Sequence, residues 1–323
     1  WLFDNKFNFD ITYYNSTLRN QFLYVSTANG ESKPVNTGKI RNYGLEFSAG
    51  YRWNINHDWR WQTGFNFAWN DNRILETYKT ESGAPYIVEM GTNAFKIKYI
   101  EGGRYGDIYV NSFARDENGH IKINGAGDYE NAVPVMESGK YETYVGNTTS
   151  PVTLGWNNTF SWKNFNLYFL IDGRIGGKVM SLTEPDLDLF GLSERSAHDR
   201  LKGERVTQNG KEYVLKELPD GSGNKVPVEN YYTTIGAYPM EDHVYNATNL
   251  RMRDISLSYN FSNLLGKNTG LTAQFSIKNA FFIYKDSPID PDISVSAANG
   301  YSGIDCYSLP TTRSYALTLK FNF

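Results

Sequence analysis

The chain of 323 residues has a single cysteine, Cys306, so neither an internal disulfide nor a cysteine-based zinc cluster is open to it. It also lacks any apolar run near the roughly 20 residues that a membrane-spanning helix needs. Neither charge predominates: 32 Lys and Arg stand against 35 Asp and Glu, and a net charge of -3 gives no electrostatic case for a nucleic-acid partner. Four histidines, His57, His120, His198 and His243, are scattered over a turn and loops without an i, i+4 pair. No Gly-x-Ser-x-Gly elbow occurs, which leaves a hydrolase, its triad assembled only in space, as the weakest reading. The chain opens on Trp1 without a basic n-region or an apolar h-region, so no targeting segment is read in it.

What it has in excess is aromatic residue: 24 Tyr, 19 Phe and 7 Trp, or 15% of the chain. Mean hydropathy is nonetheless low, at -0.52. High aromatic content with low hydropathy fits two classes, a soluble carbohydrate-binding β protein and an outer-membrane barrel, whose alternating strands escape a hydropathy window.

Periodicity decides between them. Tyr315, Leu317, Leu319, Phe321 and Phe323 alternate with Ala316, Thr318, Lys320 and Asn322, the period-two pattern of a strand with one apolar and one wet face. The same alternation marks 7–14, 43–53, 59–70, 152–162, 165–171, 254–261 and 271–278, which makes eight strands. The links between them run long, short, long, short, long, short, long. Only an up-and-down meander, with short turns at one end and long loops at the other, gives that order, and outer-membrane barrels are built so. Trp53, Trp59 and Trp162 gather beside the short turns, where an interfacial aromatic girdle belongs. The other face carries Arg52, Arg60, Gln62, Asn66, Asn70, Gln274, Lys278 and Lys320, too polar for a packed sandwich interior but suited to a wet lumen. The lumen-facing residues include many Gly, Ser, Ala and Asn, too small to fill an eight-stranded barrel, so the eight strands are expected to be part of a larger one.

The links 15–41, 71–151 and 172–249 read as long, polar and irregular, except that Ser193–Lys202 reads as a short surface helix with Ser193 as N-cap. Gly102-Gly103-Arg104-Tyr105-Gly106 lacks the strand–turn–helix setting of a phosphate loop and reads as loop. Glu184, Asp186 and Asp188 offer oxygens of the kind calcium accepts, but no calcium-loop spacing follows; solvated carboxylates are expected, and no cofactor. Loop residues that would stack on or hydrogen-bond a ligand at the outer mouth are Tyr78, Tyr86, Tyr105, Tyr109, Tyr231, Tyr232 and Tyr238, with Arg104, Asp107 and Asp186 as polar partners.

Several stretches resemble one family. Thr37–Trp53 (TGKIRNYGLEFSAGYRW), Tyr144–Val179, Tyr245–Phe261 (YNATNLRMRDISLSYNF), Tyr284–Ser294 (YKDSPIDPDIS) and Ser308–Phe323 (SLPTTRSYALTLKFNF) are similar, in order, to the C-terminal half of SusC/RagA-type TonB-dependent transporters. The match touches nearly the whole chain, although Asp292 stands where the family more often has Glu. The resemblance implies a Gram-negative outer-membrane barrel of about 22 strands, of which residues 1–323 would be the C-terminal part, with its long loops outside the cell. It implies an N-terminal plug and a TonB box, neither of which is in these residues. It further implies a SusD-like surface lipoprotein as lid, the TonB complex acting through the plug, and the rest of the barrel on another chain or in further sequence. The cargo it implies is an oligosaccharide, with oligopeptide as the alternative; a stand-alone small barrel serving as adhesin or binding module is the runner-up from another class. Tyr315, Leu319, Phe321 and Phe323 resemble the strand signal read by the barrel-assembly machinery, and the chain is not expected to be an enzyme.

Overall fold

The computed structural model describes residues 3, 6–26, 32–137, 139–236, 240–262, 269–293 and 302–322. Its frame is one antiparallel sheet of eight long strands. They are β1 (Phe7–Ser26), β2 (Ser32–Asn54), β3 (Trp59–Glu76), β4 (Val152–Trp162), β5 (Phe165–Ile175), β6 (Asn249–Ser262), β7 (Gly270–Lys285) and β8 (Ser314–Asn322). Each strand pairs with its neighbour in sequence, the meander that the link lengths imply. Among the described residues β1 and β8 are the two edges and do not pair with each other, so the strands form an open wall and not a closed small barrel.

Register carries the apolar alternation across the wall. Phe9 lies opposite Ala49, Ala49 opposite Phe65, Phe65 opposite Trp156, and Trp156 opposite Ile171. Four residues along β5 on the same face, a second row runs from Leu167 through Leu257 and Phe275 to Leu317. Asp10, Ser48, Asn66 and Gly155 form the matching row on the other face. Because side chains alternate strictly, a single slip would have turned one strand inside out. At the short-turn end the rings touch in a chain: Trp59 stacks on Trp162 at 5.5 Å, Trp162 on Phe165 at 6.0 Å, and Phe165 meets Tyr259 at 4.5 Å.

Two expectations about the loops are corrected. Residues 15–41 are not a loop: β1 and β2 run on as one hairpin, paired as far as Ser26 opposite Ser32. The pairing passes through Asn20 and Gly38, both at positive φ (57° and 88°), conformations open to Asn and Gly. The hidden pattern is legible afterwards, since Leu18, Phe22 and Tyr24 keep the even spacing on an exposed strand. At about 3.3 Å per residue β1 is roughly 65 Å long, more than twice the apolar band of about 25 Å that a membrane barrel presents.

The other long links fold as well. Val88–Gly91, Phe95–Tyr99, Asp107–Val110 and Thr143–Asn147 form a four-stranded sheet from the first. The second holds three helices, α1 (Glu184–Leu189), α2 (Glu194–Lys202) and α3 (Val228–Gly236), and a three-stranded sheet. The α2 N-cap is Ser193, whose side chain accepts a hydrogen bond from the Ser196 amide. One buried cluster joins Phe95, Ile97, Ile108 and Val110 to Met180, Met240 and Ile304; another joins Phe113 and Ile121 to Val226, Tyr231, Tyr232 and Ile235. The two links thus share their cores and form a single loop body on the wall.

Candidate functional site

Within the loop body a cavity of about 510 Å³ opens between α1, α2, α3 and the strand Lys211–Glu217. Its walls bring charges of both signs beside tyrosines. Arg195 and Asp199 come from one face of α2, four residues apart. Lys216 reaches in from the strand, Glu184 from α1, Tyr231 and Tyr232 from α3, and Pro288 from the segment after β7.

Behind Arg195 lies a buried network. Asp188 and His243 are fully buried, and Arg195 grips the Asp188 carboxylate through Nε and Nη2. His243 Nε2 lies 2.9 Å from Asp188 Oδ2 and 2.7 Å from Arg195 Nη2, while Ser193 Oγ donates to Asp188 Oδ1 at 2.5 Å. Burial alone would raise the Asp188 pKa, but the hydrogen bonds from His243, Arg195 and Ser193 outweigh it and hold the carboxyl below its ordinary value. The order is Ser–Asp–His, with the carboxylate in the middle, whereas a hydrolytic triad needs the imidazole between the other two. The network therefore locks α1, α2 and the Met240–His243 turn together and presents no activated serine.

On the cavity side, Lys216 Nζ pairs with Asp199 Oδ2 at 2.6 Å and lies 5.0 Å from the Tyr231 ring centre. The Tyr232 hydroxyl donates to the same Asp199 oxygen at 2.7 Å. Burial first, and then that bond to Asp199, push the Tyr232 hydroxyl pKa up; burial and Asp242 do the same for Tyr231, so both donate and neither ionises in the physiological range. The Tyr245 hydroxyl donates to Glu184.

The residues singled out from sequence fall into separate places. Tyr231 and Tyr232 reach this cavity, although their rings are mostly core. Asp186 sits on α1, but it is Glu184 that lines the wall. Arg104, Tyr105, Asp107 and Tyr109 gather around the four-stranded sheet instead. There Arg104 Nε lies 2.6 Å from Asp71, Asp107 accepts from the Arg104 amide and from Asn147, and Tyr105 stacks on Tyr99 at 4.5 Å. Tyr109 leans on Tyr144, a half-exposed ring that sequence reading passed over, at 5.4 Å. Tyr78 and Tyr86 form an edge-to-face pair elsewhere in that link. Tyr238 and Phe323 lie outside the described residues. Among the described residues no three acidic, histidine or cysteine side chains converge as a metal site: Glu184 is engaged by Tyr245, and Asp188 by Arg195.

Missing from the sequence reading were Arg195, Asp199, Lys216 and Tyr245. The i, i+4 spacing of Arg195 and Asp199 in SERSAHDRLK was a usable signal; nothing local linked that helix to Lys216.

Comparison with known proteins agrees with this architecture. No family model matches the chain. It is 23% identical over 348 residues to TonB-dependent receptor P3 of Formosa agariphila, covering 100% of this chain and 33% of the relative. It is 24% identical over 300 residues to TonB-dependent receptor SusC of Bacteroides thetaiotaomicron, covering 89% of this chain and 27% of that protein. Among solved structures, the RagAB peptide transporter superposes with a TM-score of 0.64 at 17% identity, over 98% of this chain and 33% of the other. The RagAB peptide importer in its open-open state gives 0.66 at 18%, with 99% and 33% covered. The chain spans a third or less of the length of the relatives it matches. In sequence and in fold it is thus similar to about a third of a SusC/RagA-type TonB-dependent outer-membrane transporter.

Proposed function

We propose that this chain supplies eight wall strands and the outer loop body of a TonB-dependent importer in the outer membrane of a Gram-negative bacterium. The observation that supports it is the single continuous apolar face carried in register over eight meandering strands, with a folded body on the long-loop end only. Energy enters through a plug and the TonB complex beyond these strands.

For cargo, the cavity favours an oligopeptide. Its walls offer Lys216 and Arg195 beside Glu184 and Asp199, and a peptide carries both charges on its termini and side chains. The oligosaccharide reading rests on the Tyr109–Tyr144 pair next to Asp107, rings and a carboxylate suited to a sugar face. Titrating the native protein with a mixed tetrapeptide and with a maltooligosaccharide separates them. Tetrapeptide binding that weakens about ten-fold in Lys216→Met supports the first. Sugar binding lost in Tyr144→Ala, with no peptide response, supports the second.

A SusD-like surface lipoprotein would cover the loop body. Phe190, Leu192 and Leu201 are 72%, 72% and 75% exposed there, an apolar group that water leaves unsatisfied. Leu201→Asp should abolish co-purification of such a lipoprotein while leaving barrel assembly normal; undiminished recovery would remove this contact from the reading.

A further inference from the structure

The segment joining β7 to β8 carries an arrangement that the importer reading does not use. Residues 286–293 lie against the polar face of β5 and β6. Pro288 lines the large cavity, and Asp292 lines a second hollow of about 200 Å³ whose walls include Thr153, Asp172, Arg174 and Arg253. The segment therefore borders both hollows.

It is held by side chains. Arg251, with its side chain 2% exposed, donates from Nη2 to both oxygens of Asp290 at 2.6 Å. The Arg251 guanidinium also sits 3.9 Å over the Phe282 ring, which fixes its plane. Arg253, the extra residue at a β-bulge between Met252 and Asp254, donates to Asp292 at 2.6 Å and to Asp172 at 2.7 Å. Arg174 lies 3.4 Å from the other Asp292 oxygen. Among the described residues the backbone of the segment meets the wall through two hydrogen bonds, from the Asp286 amide to Thr248 O at 3.3 Å and from Lys285 Nζ to Pro288 O at 3.0 Å. Two prolines, Pro288 and Pro291, have no amide to add to a ladder. Lift the segment away, and three wall arginines face one wall carboxylate, Asp172.

We propose that residues 286–293 are a gate between the outer cavity and the barrel interior, latched by Arg251 and Arg253 on Asp290 and Asp292, and opened by carboxylate-bearing cargo. A buried guanidinium stripped of its partner is strongly disfavoured, so the gate does not open spontaneously. A carboxylate arriving from the cavity takes the place of Asp290 on Arg251 while Asp172 stays on Arg253, so the most buried guanidinium is not left without a partner. Opening then exchanges partners, and it leaves an anion-attracting cluster on the pore wall. The cargo class rests on the cavity as the point of entry; the latch itself does not.

The native outer-membrane protein containing this chain, in detergent and without cargo, tests the latch by hydrogen exchange. Asp290→Asn/Asp292→Asn should quicken exchange at 286–293 roughly ten-fold or more while the wall strands keep their protection. Unchanged exchange in that variant, with heat-modifiable mobility like the parent's, overturns the latch. The unmodified protein gives a check free of folding defects: exchange at 286–293 should quicken with trialanine and not with trialanine amide. Equal exchange with both peptides overturns the carboxylate trigger even if the variant result holds. Tetrapeptide binding that survives Lys216→Met would instead fault the cavity reading and leave the latch prediction standing.

Discussion

At the scale of single residues, Asp188 shows how a position that looks like one more loop carboxylate becomes a structural centre. Read along the chain, Glu184-Pro-Asp-Leu-Asp188 is a solvated acidic patch; in the fold, Asp188 is fully buried and held by Arg195, His243 and Ser193. Replacing one member of such a set strands the others. Asp188→Asn should cost about 3 kcal/mol of loop-body stability, seen as faster hydrogen exchange in α2 while the wall strands keep their protection. The pH dependence has a definite sign. A carboxyl held below its ordinary value stabilises the folded form at pH well above about 4, and that contribution disappears as pH falls through the lowered folded value. Acid should therefore loosen α1 and α2 before it affects the apolar wall, and in Asp188→Asn that early loosening should be absent. Burial was what the sequence could not disclose, because the partners of Asp188 lie up to 55 residues away.

Elements were far more legible than sites. Each wall strand is written in its own local alternation, so Leu317, Leu319 and Phe321 identify β8 without any knowledge of β7. Where strand residues lose that contrast the reading failed, as in residues 15–41, where Asn20 interrupts the even row of Leu18, Phe22 and Tyr24. The loop sheets escaped for a related reason: Val88–Gly91 and Asp107–Val110 are four residues long, too short for a period to show. The face assignment itself can be tested on β8. Leu319→Arg puts a charge on the lipid side and should cost about 2–4 kcal/mol in refolding into liposomes, whereas Thr318→Arg, one residue away on the wet face, should cost far less. Equal costs would mean that β8 has no lipid side. Gly44 gives a second probe within β2. A Cβ there would lie 2.4 Å from the Trp69 carbonyl oxygen and 2.4 Å from the Tyr14 hydroxyl. Since the carbonyl belongs to the β3 backbone and cannot swing aside, Gly44→Ala should destabilise the β2–β3 pairing by about 1–3 kcal/mol.

For the whole molecule the governing fact is the pair of unpaired edges. Across the hydrocarbon, each backbone amide or carbonyl without a partner costs several kcal/mol, which is why membrane-spanning sheets close. Among the described residues β1 and β8 each pair on one side only. Eight strands are enough in number for a small closed barrel, but such a barrel is filled by its own inward side chains. Here the inner row holds Ser48, Gly50, Gly64, Gly155 and Ala68, and a hollow of about 280 Å³ remains over that stretch. Both observations favour further strands joining β8 to β1 around a wider lumen. The outer-membrane species should accordingly be heavier than the 36.8 kDa of this chain, or should carry a second strand-bearing polypeptide, when measured by native mass spectrometry in detergent. A lone species of 36.8 kDa that resists heat in detergent would require β1 to pair with β8 directly. That pairing would narrow the lumen until residues 286–293 could no longer swing, and the importer reading and its gate would be lost together.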